Sequence, residues 1–277
     1  MTTGASPGDV FGPWMSLWGL TADGPPFTTR FGSHLCPVRR GADLAMLKIA
    51  VHEEERRGAA LMDWWGGDGA AQVLARQDDA LLMERATGAR SLAHMAITGE
   101  DDEATTILCA VAARLHAPRS APPPPTLVPL KIWFAALWPA ADAQGGAFAT
   151  AAATARGLLA DPRDPVVLHA DLHHDNVLDG EVRGWLAIDP KGVFGERGFD
   201  FANLFRNPTA DCALEPGRMA RRVDIVAAAA DLDRRRLLAW IHAYAGLGAA
   251  WSLSSDQDPS PGLAIAERAN GLSSAPG

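Results

Sequence analysis

The chain has almost no lysine. Of its 25 Lys and Arg residues only Lys48, Lys131 and Lys191 are lysine, so arginine carries the positive surface charge and each lysine needs an explanation. Cysteine is as scarce: Cys36, Cys109 and Cys212 are odd in number and far apart. That excludes a disulfide framework and a C-x-x-C metal site, and leaves the three as small buried hydrophobes. No stretch approaches the roughly 20 uninterrupted apolar residues that a membrane helix requires. The first 30 residues contain Asp9 and Asp23 and no lysine, so no basic segment leads into an apolar run as in a secretory signal. A cytosolic protein without a membrane partner is the expectation. Positive charge is also outnumbered, 25 Lys and Arg against 33 Asp and Glu for a net charge of −8. This gives nucleic acid and anionic membranes nothing to attract them and makes a cationic partner the better expectation.

What the chain does have is hydrophobic mass. Its 277 residues are 48% hydrophobic and 21% charged, the balance of a filled core rather than a disordered chain, and the length suits about two domains. Residues 1–13 are small, polar and turn-prone, and are expected to fray. From Phe31 to Ala50, two apolar runs split by Arg39, Arg40, Gly41, Ala42 and Asp43 predict an antiparallel hairpin with Lys48 in its second strand. The segment HEEERRGAALMDWWGG then sets Ala59, Leu61, Met62 and Trp65 at helical spacing behind acids that favour a helix start, and Gly66 and Gly67 end it. Two strand-like runs, AQVLARQ and ALLMERA, complete a small sheet. After Gly88 helical patterns take over. EDDEATTILCAVAARLHA is amphipathic, and further helices are predicted within 147–160, 217–230 and 234–251 before a Ser-, Asp-, Pro- and Gly-rich stretch loosens the C-terminus. The six prolines of residues 118–129 read as a stiff connector, with an SH3-type ligand as the sharper alternative.

One β-rich island interrupts the helical half: VVLHADLHHDNVLDGEVRGWLAIDP. It gathers His169, Asp171, His173, His174, Asp175 and Asn176, with Asp189 at the end of the next strand. Asp171 and Asn176 have the H-x-D-x-x-x-x-N spacing of a kinase catalytic loop, where the Asp accepts the substrate hydroxyl proton and the Asn holds a metal. Asp189 follows a turn and a strand, a position from which a carboxylate can chelate Mg2+ between phosphates, and hard oxygen ligands are what Mg2+ needs. A lone D-x-x-x-x-N is weak; the preceding His, the downstream Asp and the rare Lys48 ahead of an acidic helix give it weight. A zinc centre on the three histidines is the rival, but their order lacks the helical H-E-x-x-H spacing and no cysteine is near. The plain reading of Lys48 is a strand-edge lysine snorkelling to water.

The run LHADLHHDNVLDGEVRGWLAIDPKGVFGERGFDFANLFRNP resembles the aminoglycoside phosphotransferase family, and most of all its streptomycin 6-kinase branch. The similarity extends from about Phe31, through AMLKIA, ALLMERATGA and DDEATTILCAVAARLHAPRS, to about Trp251. The resemblance implies an α+β protein-kinase-like fold, with a small β-rich N-lobe over residues 14–87, a larger, mainly helical C-lobe over residues 88–277, and ATP and Mg2+ between them. By motif, Asp171 is the base, Asn176 and Asp189 the metal ligands, and Lys48 the contact to the α and β phosphates. Glu55 best matches the glutamate that pairs with that lysine, with Glu53 and Glu54 open. Backbone groups from Glu84 to Ala86 would take the adenine, and Asp200 would brace the catalytic loop. His173 stands near the lysine position of protein kinases, and could donate to the γ-phosphate or orient Asp171.

Two departures matter. The glycine usual after the catalytic-loop histidine is Ala170, harmless in β-region backbone but crowded at positive φ. No G-x-G-x-x-G covers the phosphates, so FGSH, which includes Ser33, would have to do so through backbone N–H groups. The implied reaction is direct in-line transfer from ATP to a streptomycin hydroxyl. Alternatives are a kinase of another small hydroxylated compound, such as another aminoglycoside or hydroxyurea, and a non-catalytic ligand-binding homologue, whose missing lysine or metal ligand is not seen here. Guanidinium groups on the substrate ask for carboxylates, so Glu196 and Asp256, the latter on a mobile tail, are the candidates for substrate binding, with His174 beside them.

Overall fold

The computed structural model describes residues 10–29 and 32–274, so Phe31 of FGSH and most of the N-terminal segment expected to fray lie outside it. The remainder of that segment is not frayed. Phe11 is buried and α1 (Gly12–Trp18) follows, started by a proline in its first turn and closed by Gly19 in the left-handed region, φ 62°. Phe11 packs with Leu20, Val38 and Leu47, which is why the chain is ordered there.

Next come β1 (Leu20–Ala22), β2 (Phe27–Thr28), β3 (His34–Arg40), β4 (Asp43–Ile49), α2 (Glu53–Trp65), β5 (Val73–Gln77) and β6 (Ala80–Glu84). The strands form one antiparallel sheet in the order β1-β3-β4-β6-β5, with β2 added beside β3. The two-residue period of β4 sorts its side chains. Ala45, Leu47 and Ile49 enter the core beneath the sheet, and Met46 and Lys48 line the cleft on the other face. Helix α2 buries Leu61, Met62 and Trp65 and approaches the rest of the molecule at Gly58, where a Cβ would stand 2.0 Å from the carbonyl oxygen of Pro190. Only glycine lets the helix that carries Glu55 touch the chain just past Asp189.

Beyond the sheet the chain is mainly helical: α3 (Leu92–Ile97), α4 (Asp101–His116), β7 (Val128–Pro129), α5 (Leu130–Trp133), α6 (Leu137–Gln144), α7 (Gly146–Ala160), β8 (Pro165–Leu168), β9 (Val177–Asp179), β10 (Trp185–Ala187), β11 (Val193–Glu196), α8 (Ala210–Ala213), α9 (Arg218–Ala230), α10 (Arg234–Ser254) and α11 (Ser260–Ser274). The β-rich island makes a β9–β10 hairpin, and β8 pairs antiparallel with β11, which also takes β7 in parallel. A 3-10 helix, Arg197–Arg206, follows. Helix α10 is buried almost without interruption from Leu237 to Ala250, because α7 packs on one side and α11 on another. The loosened C-terminus expected from composition is therefore replaced by α11, whose Ile265, Ala266 and Ala269 are buried in the main core. Their spacing is helical, but the Ser, Pro and Asp around it mask the pattern. Among the described residues no helix is long and apolar enough to cross a membrane.

Candidate active site

The turn that links β8 to β9 is built around Asp200. This carboxylate, 1% exposed, accepts the backbone N–H groups of His169 at 2.8 Å and Ala170 at 2.6 Å, and His116 Nε2 stands 2.8 Å from it. The turn requires Ala170 to take φ 65°, so the residue occupies the positive-φ position that glycine suits, not β-region backbone; the cost of the left-handed region to a Cβ is about 1–2 kcal/mol. The strained turn, pinned by Asp200, presents Asp171. Its Oδ1 accepts from Asn203 Nδ2 at 2.8 Å and its Oδ2 from Asn176 Nδ2 at 3.1 Å. Asn176 also donates to the Asp171 carbonyl at 2.9 Å, which turns its amide oxygen away from Asp171.

His169, His173 and His174 diverge. His169 Nε2 meets the Ile188 carbonyl at 2.8 Å, His173 Nδ1 accepts from Asp175 N at 3.3 Å, and His174 Nε2 is 3.4 Å from Arg222. They do not face one zinc ion. His173 Nε2 lies 3.9 Å from Asp171 Oδ1, beyond hydrogen-bond reach, so Asn203 and Asn176 orient the carboxylate instead of His173. His174 was expected near substrate. It is buried, next to the Arg222 guanidinium, and burial followed by that charge pushes its pKa down to about 3; it supports the loop from beneath.

Opposite Asp171, Lys48 Nζ is 2.6 Å from Asp189 Oδ1 and 3.3 Å from Glu55 Oε1. The partner is thus Glu55, held in turn by the Ser33 hydroxyl and by Val51 N at 2.9 Å. Glu53 points to Arg56 at 3.2 Å, and Glu54 to Lys191 at 3.7 Å. Lys191 also lies 2.9 Å from Asp189 Oδ2 and 3.5 Å from Asp171 Oδ2. Burial opposes ionisation of Asp189, but Lys191 and Lys48 outweigh it and hold the carboxyl far below its ordinary range. Neither Lys191 nor Asn203 was read from the sequence as a site residue; the scarcity of lysine was the one signal that pointed to the former.

Asn176 and Asp189 offer two hard oxygen ligands. Among the described residues no group of three or more His, Cys, Asp or Glu could hold a metal ion, so a cation here would complete its shell with phosphate and water, which is how Mg2+ commonly binds. Both ligands line a cleft of about 330 Å³, along with Lys48, Glu55, Met62, Met83 and Ile188. Met83, Glu84, Arg85 and Ala86 form its wall where β6 ends. The Glu84 side chain is held within the protein, its Oε1 accepting from Arg183 at 2.9 Å and from Gln72 N at 2.6 Å.

Two of the FGSH N–H groups expected to cradle phosphate are already engaged within the turn. Gly32 N donates to the Thr29 carbonyl at 3.0 Å, and Ser33 N to Thr29 Oγ1 at 3.1 Å. The turn closes on Thr29 and spends these N–H groups, while the Ser33 hydroxyl fixes Glu55. Glu196 also differs from expectation. It is 4% exposed, bound by Arg236 through both oxygens at 2.6 Å, by Trp240 Nε1 at 2.7 Å and by Arg163 N at 2.9 Å. Its neighbours line a separate hollow with Arg197 and Asp231, and it has no oxygen left for a substrate cation. Asp256 is exposed just past the end of α10, on the ordered connection to α11 and not on a mobile tail.

Comparison with known proteins agrees with this geometry. Residues 17–256 match the family model of the aminoglycoside/hydroxyurea antibiotic resistance kinases. A streptomycin 3''-kinase of Klebsiella pneumoniae is 52% identical over 242 residues, 86% of this chain and 90% of that protein. A streptomycin 6-kinase of Streptomyces griseus is 32% identical over 254 residues, 80% of this chain and 75% of that one. Among solved structures, a thermostable mutant of the aminoglycoside phosphotransferase APH(4)-Ia, in ternary complex with ADP and hygromycin B, superimposes with a TM-score of 0.62 at 14% identity, covering 97% of this chain and all of that one, which shows the shared fold. The chain belongs to the aminoglycoside/hydroxyurea antibiotic resistance kinase family, with its protein-kinase-like arrangement of a β-sheet lobe over a helical lobe.

Proposed function

We propose that this protein transfers the γ-phosphoryl group of ATP, with Mg2+, to a hydroxyl of streptomycin, and that the hydroxyl is the 3'' position rather than the 6 position suggested by the sequence resemblance. The observation that supports the chemistry is the convergence of Lys48 from the sheet, Glu55 from α2, and Asn176 and Asp189 from either flank of the β9–β10 hairpin on one cleft, with Asp171 bonded to Asn176 beside it. The 52% identity to a streptomycin 3''-kinase favours that position over the 6-kinases, which are more distant in sequence.

Bound MgATP would supply the phosphoryl group and the cation that neutralises its charge. The chain does the positioning. Lys48, fixed by Glu55, would present an ammonium to phosphate oxygens; Asn176 and Asp189, side by side at the open end of the β9–β10 hairpin, would hold the cation. Asp171, its lone pairs aimed by Asn203 and Asn176, accepts the hydroxyl proton as the acceptor oxygen attacks in line. A loose transition state leaves little covalent work, so orientation and charge carry the rate.

The test is incubation with ATP, Mg2+ and a panel of streptomycin, other aminoglycosides and hydroxyurea, followed by mass spectrometry and phosphorus–proton correlation NMR. One added phosphate on streptomycin at 3'' is the expected result; phosphate at 6, or on another panel member alone, overturns the substrate reading. Asp171→Asn should lower kcat by about 10²- to 10⁴-fold, the usual contribution of a general base, with Mg-ADP affinity retained. A near-normal kcat in that variant would remove Asp171 from the base role.

A further inference from the structure

Lys191 is a cation with three carboxylates and no role in the motifs that identify the site. Its ammonium bridges Asp189 Oδ2 at 2.9 Å and Asp171 Oδ2 at 3.5 Å and reaches Glu54 at 3.7 Å. The backbone leaves it little choice. Lys191 N donates to the His169 carbonyl at 2.8 Å, tying this residue to the start of the catalytic turn. Two residues later β11 pairs Val193 with Leu168. Between them Gly192 adopts φ 67° with a Cβ position only 3.1 Å from Arg57. The side chain is thereby returned towards Asp189 and Asp171, where it is 13% exposed.

The two lysines divide Asp189 between them, Lys48 on Oδ1 and Lys191 on Oδ2. They are not equivalent. Lys48 has a second, well-held anion in Glu55, whereas Lys191 reaches towards the base. A cation that binds Asp189 must compete with one of these ammonium groups, and a nucleotide brings phosphate oxygens to which the displaced ammonium can turn. In a reaction where Asp171 takes the acceptor proton and Asp189 holds the metal, the group in transfer lies between those carboxylates. Lys191 already spans that gap. His173, the other residue expected to donate to the phosphate, has its Nδ1 accepting from Asp175 N. An ammonium, a point charge with three rotatable donors, suits a phosphoryl group whose geometry changes during transfer.

We propose that Lys191 is a further catalytic residue: on nucleotide binding its ammonium leaves Asp189 and contacts an oxygen of the transferring γ-phosphoryl group beside Asp171. The inference rests on the kinase reading above. In the step itself the acceptor oxygen forms a bond to the γ-phosphorus as the bond to the β-bridging oxygen breaks, the hydroxyl proton passes to Asp171, ADP leaves, and Lys191 stays protonated throughout.

The test separates the γ-phosphate contact from simple support of Asp189 by titrating Mg-ADP and the non-hydrolysable Mg-AMP-PNP, without acceptor, into wild type, Lys191→Met and Lys191→Arg by calorimetry. Expected is a loss of about tenfold or more in AMP-PNP affinity in Lys191→Met, the scale of one charge-assisted contact, with Mg-ADP affinity unchanged or improved. Turnover should fall by about 10²-fold or more, as when a donor to developing charge is removed, with the KM for streptomycin nearly constant. Lys191→Arg should recover part of the AMP-PNP affinity. Parallel loss of both nucleotides in Lys191→Met would show that Lys191 only shapes the metal ligand, and no change in either would show that it contacts neither; both outcomes overturn the proposal. If Lys191→Met melts below the assay temperature, Lys191→Gln is read by the same pair of affinities. A wild type that binds neither nucleotide overturns the kinase reading as a whole, whereas one that binds both while the variant fails to discriminate overturns this inference alone.

Discussion

A carboxylate's role follows from what else has claimed its oxygens. Glu196 and Asp189 are both acids in the same half of the chain, and charge alone made the former a plausible anchor for a cationic substrate. Glu196 already accepts from Arg236, Trp240 and Arg163 N. These bonds hold its pKa below the ordinary value although burial opposes that. Glu196→Gln should therefore cost about 2 kcal/mol of stability, the scale of hydrogen bonds to a charged group, read as a lower urea midpoint. It should leave the streptomycin KM, and its dependence on salt, as in wild type; a raised KM with unchanged stability would restore Glu196 to substrate binding. Asp171, Asn176 and Asp189 stood out in the sequence because their spacing is set locally, by one turn and one hairpin. Lys191 and Asn203 did not, since what they do depends on which carboxylate the fold brings opposite them.

Helices here carry charge inward as well as apolar faces. Asp101, in the first turn of α4, looks like one more acid favouring a helix start. In fact it is buried between two arginines of α9, 2.6 Å from Arg222 Nη2 and 2.8 Å from Arg218 Nη1, and Arg222 continues to the carbonyls of Leu204 and Asn207 at 2.7 Å each. This cluster clamps α4 and α9 to the 3-10 helix that bears Asp200 and Asn203. Asp101→Ala should destabilise the protein by about 3–5 kcal/mol in urea unfolding, because it leaves the buried Arg222 guanidinium without a carboxylate, whereas Arg218 keeps Glu215; a loss below about 1 kcal/mol would mean water reaches Arg222. Helices α7 and α10 meet at His242, whose Nδ1 is 3.1 Å from Thr154 Oγ1. Burial lowers the His242 pKa from its ordinary 6.5. The folded state thus prefers the neutral ring, so its contribution is complete above pH 6.5 and is lost as pH falls below it, by at most about 1.4 kcal/mol per pH unit for one proton. Stability measured from pH 7.5 to 5 should drop more steeply in wild type than in His242→Asn, and identical slopes would clear His242 of the effect. The amphipathic pattern of α4 and the hairpin of β3 and β4 were legible because period and turn residues agree; α11 was not, because its apolar residues lie among helix breakers and are recruited by α10.

At the scale of the whole molecule, the cleft is a junction. The sheet supplies Lys48, α2 supplies Glu55, and the helical half supplies Asp171, Asn176 and Asp189. A ligand held by both parts binds the native state alone and must stabilise it. MgATP at about 100 times its Kd should add about 2.7 kcal/mol, and raise Tm by about 5–10 °C for a chain of this size. Asp189→Ala should lose the Mg2+-dependent part of that shift, and an equal shift in the variant would remove Asp189 from the metal site. Elements whose signals are local were readable from residue order alone: the hairpin with Lys48 in its second strand, the acidic start of α2, and the D-x-x-x-x-N turn followed by a strand ending in Asp. Which of three adjacent glutamates meets Lys48, that Glu196 is taken by Arg236, that Ala170 sits at positive φ, and that Lys191 lies between Asp171 and Asp189 emerge only from the packed molecule. The difference is one of range. Backbone period and turn chemistry act over a few residues, whereas the partner of a charge is whichever group packing brings within a few ångströms, from any distance along the chain.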